Sequence, residues 1–137
     1  MSYSSGIDIV SISRFEGLSS DPAFLARLLT EEELGYVLSK PRGLRKKHLA
    51  GRFASKEAVM KALGTGWDHG VGWRDIEVRN APSGGPSVVL HRGALAAAGG
   101  GVVQLSISYT KDVAAALAIM EGRAEGHNEL RNSNTGV

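Results

Sequence analysis

Three side chains in this 137-residue sequence have the types and placement to do chemistry together: Asp8 in "GIDIVSI", and Glu57 and Lys61 in "FASKEAVMKALGTG". Two readings of them stay open on periodicity alone. In the first, Glu57 and Lys61 form an ordinary i,i+4 helix ion pair, worth a few tenths of a kcal/mol, and Asp8 caps a turn. In the second, Asp8 and Glu57 share a hard cation such as Mg²⁺, which takes oxygen ligands and keeps places for water and a substrate phosphate. Lys61 then meets the same phosphate as a point charge. The loop Gly64-Thr65-Gly66 stops the helix and lets a nucleotide approach its backbone, although a helix C-terminus presents its negative dipole end there. It is no P-loop, which has its glycines before the helix and its lysine beside Ser or Thr.

The elements that must position these residues follow from local patterns. A β-branched apolar run predicts a strand over Gly6 to Ile12, central in its sheet, with Asp8 on the face of Val10 and Ile12 and with Ile7 and Ile9 on the other. Both faces are largely apolar, so Asp8 is expected to be at least partly buried. Asp21 followed by Pro22 starts a short helix, and Thr30 with Glu33 has capping-box spacing for a second. The longest helical pattern runs from about Leu44 to Leu63 and stops at Gly64. At about 100° per residue, Glu57 falls at the edge of the stripe made by Leu49, Phe53 and Met60, with Lys56 flanking that stripe and Lys61 turned further toward solvent. The second half changes character: "WRDIEVRN", "PSVVLH", "VVQLSISYT" and "VAAALAIME" read as strands, with a short alanine-rich helix over Gly93 to Ala98. One strand, then helices, then a run of strands predicts an α+β fold, a mainly antiparallel sheet with helices packed on one side. Residues 1–121 form the expected domain, and the polar stretch 122–137 is a tail.

Composition narrows the partners. There are no cysteines, so thiolate metal sites and thiol nucleophiles are excluded. No apolar run approaches the ~18 residues of a membrane span, and the start lacks a secretory signal, so a cytoplasmic protein with no membrane partner is expected. Net charge is only +2, yet Lys40, Arg42, Arg45, Lys46, Lys47 and Arg52 crowd into one segment with His48. That block is expected to face something anionic. Nucleic acid is a weak fit, because only "KPRGLRKKH" supports it. His48, His69, His91 and His127 lack metal-ligand spacing and read as surface or loop residues. Trp67 and Trp73 read as packing beside the site.

Taken together, "GIDIVSISRF", "LAGRFASKEAVMKALGTG", "WRDIEV" and "LSISYTKDVAAALAI" resemble the small bacterial holo-acyl-carrier-protein synthase type of 4′-phosphopantetheinyl transferase, in order and spacing, up to about Glu121. The resemblance implies that family's fold and a trimer with active sites shared between subunits. It implies transfer of the 4′-phosphopantetheine group of coenzyme A to a serine of an apo acyl carrier protein, releasing adenosine 3′,5′-bisphosphate. By position, Asp8 and Glu57 would hold Mg²⁺ and Lys61 would assist at the phosphate under attack. The base for the carrier serine stays open between water on the metal and Glu57 itself. Arg52, Lys61, Gly64, Thr65, Gly66, Ser108, Tyr109 and Thr110 would bind coenzyme A, with Arg52 and the Ser106 to Thr110 strand supplied by the neighbouring subunit. Arg14, Arg27 and Arg45 resemble the docking surface for the acidic carrier, where steering by opposite charge is expected. One departure stands out: Tyr109 occupies a position where the family usually has histidine. A phenol donates one hydrogen bond but carries no imidazolium charge. That substitution keeps an alternative open, a non-catalytic homologue that binds carrier protein or coenzyme A.

Overall fold

Caps set the helix boundaries much as local chemistry predicts. In this computed structural model, which describes residues 2–64 and 70–122, the Asp21 carboxylate accepts from the Ala23 and Phe24 amides and opens helix α1, Pro22–Leu28. Thr30 and Glu33 cap one another's backbone at the start of α2, Glu31–Leu38. The long helix α3 spans Arg42–Leu63 and ends where Gly64, at φ 72°, turns left-handed and returns its amide to the Lys61 carbonyl. A fourth helix, α4, covers Arg92–Ala98.

Among the described residues, five strands form two antiparallel sheets. β1, Tyr3–Ser11, pairs with β5, Val113–Glu121, and β5 pairs in turn with β4, Val102–Tyr109. β2, Ile76–Asn80, and β3, Pro86–Leu90, make a separate hairpin. Two expectations are corrected here. The first strand is an edge of its sheet, because the last strand inserts between it and β4, a long-range choice that local composition does not record. The strand also ends at Ser11, and Ile12–Phe15 forms a 3-10 turn that carries Arg14.

α3 lies against one face of the three-stranded sheet, which presents small side chains to it: Ala114, Ala116 and Ala118 are all buried. The approach is closest at Gly6, where a Cβ would run into the Ala58 carbonyl oxygen and lie 2.6 Å from the Lys61 Cβ. Glycine there lets the C-terminal half of α3 reach the strand that holds Asp8. On the far side of α3 the rings of Phe15, Phe24, Phe53 and Trp73 make tilted and edge contacts at 5.3–6.5 Å between centroids. Burying each such ring contributes on the order of 2–3 kcal/mol. The outer face of the sheet carries no helix among the described residues. Ile7 and Ile9, 58% and 62% exposed, lie there with Val102, Leu117 and Ile119.

Candidate active site

Asp8 sits at the middle of β1, opposite Ala116, and its side chain is mostly covered. Lys61 reaches it from α3, with Nζ 3.4 Å from Asp8 Oδ1 and donating to the Ile7 carbonyl at 2.8 Å. The i,i+4 partnership with Glu57 is therefore replaced by a bond to the strand. The other carboxylate oxygen, Asp8 Oδ2, is buried with no protein hydrogen-bond partner. Such an oxygen is costly unless something supplies positive charge or a donor.

Glu57 lies one turn before Lys61 and is half-buried. Burial pushes its carboxyl above the usual range, and the neighbouring Asp8 charge pushes it further. The Trp73 side chain and the charges of Lys61 and Arg14 act in the opposite direction. Arg14 is held there by stacking, its guanidinium 5.0 Å from the Phe53 ring centroid and 5.5 Å from that of Phe15. Two mutually repelling carboxylates, one with an orphaned buried oxygen, fit a hard divalent cation. No group of three or more His, Cys, Asp or Glu ligands occurs among the described residues. A two-carboxylate site matches Mg²⁺, which keeps waters and substrate phosphate as its remaining ligands.

A second cluster gathers the expected coenzyme residues on a different face of α3. Arg52 is only 3% exposed, its guanidinium 4.5 Å over the Tyr36 ring and donating to Asn80 Oδ1 at 2.8 Å. Its Nε is buried without a partner beside a 190 Å³ cavity lined by Tyr36, Arg52, Arg79 and Asn80. Tyr109 points inward to the same place. A Cβ on Gly51 would collide with its hydroxyl, and Lys47 Nζ lies 4.8 Å over its ring. Burial raises the Tyr109 phenol pKa, so it stays a neutral donor. Its neighbours on β4 differ: Ser108 faces outward and is exposed, and Thr110 Oγ1 accepts the Asp112 and Val113 amides in the turn to β5. Arg52 and Glu57 are five residues apart, about 140° around the helix. The chain thus keeps the carboxylate pair and the Arg52–Tyr109 cluster apart. Gly64 is in place as the helix stop, while Thr65, Gly66, Trp67, His69 and His127 lie outside the described residues.

The three arginines expected at a docking surface divide. Arg14 and Arg27 are exposed, and Arg27 rims a 660 Å³ groove with Phe24, Trp73 and Arg74. Arg45 is tied down, its Nε and Nη2 donating to the Lys40 and Leu38 carbonyls at the end of α2. His91, read as a surface or loop residue, lies in the loop between β3 and α4 and is paired there with the buried Glu77 at 2.9 Å.

Local pattern missed one feature of this region. Lys56, expected to flank the apolar stripe, is fully buried and donates to Glu33 Oε1 at 2.6 Å, the Trp73 carbonyl at 3.0 Å and the Ile76 carbonyl at 2.7 Å. Burial lowers its pKa, and the Glu33 charge opposes that shift. The signal was available: Lys56 is three residues after Phe53 and four before Met60, inside the stripe.

An α+β domain whose long helix carries Glu57 and Lys61 against the Asp8 strand matches one family along most of its length. The model of the 4′-phosphopantetheinyl transferase superfamily fits residues 4–118, and the chain belongs to that superfamily. Within it the chain stands with the holo-[acyl-carrier-protein] synthases. That of Treponema denticola is 47% identical over 120 residues, 85% of this chain and 96% of the relative. That of Moorella thermoacetica is 43% identical over 120 residues, covering 85% and 91%. Among solved structures, the Bacillus anthracis synthase in complex with CoA (3′,5′-ADP) aligns with TM-score 0.76 at 36% identity, covering 88% of this chain and 96% of that one. The Helicobacter pylori synthase in complex with coenzyme A aligns with TM-score 0.75 at 30% identity, covering 85% and 99%.

Proposed function

We propose that this chain transfers the 4′-phosphopantetheine group of coenzyme A to a serine of an apo acyl carrier protein, with Mg²⁺, releasing adenosine 3′,5′-bisphosphate. The observation that carries this reading is the Asp8–Glu57–Lys61 constellation, with its orphaned Asp8 Oδ2, in a chain of this family. Phosphoryl transfer asks a protein for positioning and for neutralisation of spreading negative charge, not for a covalent intermediate. Asp8 and Glu57 would hold the cation, which when bound neutralises charge on the coenzyme A pyrophosphate. Lys61, already half out in solvent, is free to swing its ammonium from Asp8 to the phosphate under attack. Arg52, with Lys47 and the Tyr109 hydroxyl, would receive the 3′-phosphate and adenine end, together with Gly64 to Gly66 and the strand end at Ser108 and Thr110. Arg14 and Arg27 would meet the acidic carrier, with Arg45 holding the end of α2 beneath them.

The carboxylate pair and the Arg52–Tyr109 cluster are apart in one protomer, and the outer sheet face is apolar and exposed. Both observations support a homotrimer in which each site takes its metal pair from one subunit and its Arg52–Tyr109 cluster from the next. The functional unit is residues 1–121, working in the cytoplasm. The test is to incubate the protein with coenzyme A, Mg²⁺ and an apo carrier and to weigh the carrier. A gain of the phosphopantetheine mass supports the reading, and no gain with fatty-acid, polyketide or peptide-synthase carriers overturns it. Sedimentation of the protein as a monomer at micromolar concentration would overturn the trimer.

A further inference from the structure

Lys46, Lys56 and Lys61 on α3 each face a carboxylate, that of Glu16, Glu33 and Asp8 respectively. Lys47 does not. Among the described residues it makes no ion pair, and its ammonium lies 4.8 Å from the centroid of the Tyr109 ring. A cation at that distance is attracted to the electron-rich face of the ring. Gly51 makes the seat: it follows Lys47 by one turn on the same side of α3, and without a Cβ there the Tyr109 hydroxyl lies directly against the helix. Arg52 is held in a similar way. Its guanidinium lies 4.5 Å over the Tyr36 ring and donates to the neutral Asn80 side chain, with Nε left unpartnered. Lys40 Nζ is also 4.5 Å over the Tyr36 ring. Three cations thus rest on two phenol rings, and none of them is paired with a carboxylate among the described residues. Their fields overlap: after burial, the charges of Lys40, Arg52 and Lys47 hold down the pKa of His48. Ring faces hold a cation in place without neutralising it, so positive charge is left over here for an anion.

From this geometry we infer that Tyr109 acts through its ring face: it holds the Lys47 ammonium ready for the 3′-phosphate of coenzyme A, and Lys47 is a specificity-determining residue for that group. The inference rests on the reading, proposed above, that the Arg52–Tyr109 cluster receives the 3′-phosphate end. A phosphate monoester carries close to two negative charges at neutral pH, and a lysine meets it as a point charge. The test titrates the whole protein by calorimetry with coenzyme A and with 3′-dephospho-coenzyme A, and takes the ratio of the two dissociation constants as the preference for the 3′-phosphate. Lys47→Met is expected to lower that preference about tenfold, the worth of one charge-assisted contact. A preference within about twofold of the unsubstituted protein overturns the inference. The ring is tested by two replacements of like shape, Tyr109→Phe and Tyr109→pentafluorophenylalanine, of which the second withdraws the negative charge of the ring face. Adding Lys47→Met to Tyr109→Phe is expected to cost about tenfold in preference again, whereas adding it to the fluorinated chain is expected to cost less than about threefold. Equal costs on the two backgrounds overturn the role of the ring. The unsubstituted protein separates the two levels. If it binds both coenzymes equally well, the reading of the cluster as the 3′-phosphate site fails and the inference with it. If it prefers coenzyme A and Lys47→Met leaves that preference as it was, only the inference fails.

Discussion

Lys56 and Lys61 stand five residues apart on one helix, each beside a carboxylate, and they have opposite characters. Lys56 and Glu33 are both fully buried at 2.6 Å, and the remaining two protons of Lys56 go to backbone carbonyls. Glu33 is equally occupied, accepting from the Thr30 and Val78 amides as well. Lys61 is 56% exposed, sits at a long 3.4 Å from Asp8, and faces a carboxylate whose other oxygen has no protein partner. A saturated ion pair has nothing left to offer a ligand. An unsaturated one, next to a second carboxylate pushed toward protonation by burial and repulsion, has capacity for a cation and a phosphate. The difference teaches that hydrogen-bond saturation, more than charge or motif position, separates the structural lysine from the one available for chemistry.

The comparison breaks most visibly if the unsaturated side proves dispensable. Asp8→Asn and Glu57→Gln are expected to reduce carrier modification about a thousandfold or more, read by mass spectrometry, because each removes a charge that would hold the metal. Next in size, Lys56→Met leaves Glu33 charged and uncompensated in the interior. Denaturant unfolding should show a loss of about 3–5 kcal/mol, largely recovered when Glu33→Gln is added. If Lys56→Met unfolds like the unsubstituted protein, saturation is not what makes that pair structural. Lys61→Met is expected to invert the pattern: a fall in kcat of about a hundredfold, with stability changed by less than about 1 kcal/mol, as for exposed pairs.

The smallest effect concerns pH. The folded-state pKa of Glu57 is raised, by burial first and the Asp8 charge second. Its ionisation therefore opposes folding above that pKa and costs nothing below the unfolded value. Glu57→Gln should raise Tm at pH 7, and the gain should shrink as pH falls and the native carboxyl takes up its proton. A gain independent of pH would place its origin in packing instead of charge.

Much of the fold was legible along the chain. Asp21, Thr30 with Glu33, and Gly64 act through neighbours a few residues away, so helix boundaries follow from local chemistry. Alternation in β4 and β5 was readable for the same reason. The position of β1 at an edge was not, because it depends on where a strand from the other end of the chain inserts.

For the site, the amino-acid order alone determined that Asp8, Glu57 and Lys61 exist in a strand and a helix at family spacing. It left undetermined which charges meet. Tertiary structure decided that Lys61 turns from Glu57 to Asp8, that Lys56 disappears beneath Glu33, and that Arg52 stacks on Tyr36. These pairings join residues up to 53 positions apart. They are set by burial and by the close approach at Gly6, which a helical period of 3.6 residues does not encode.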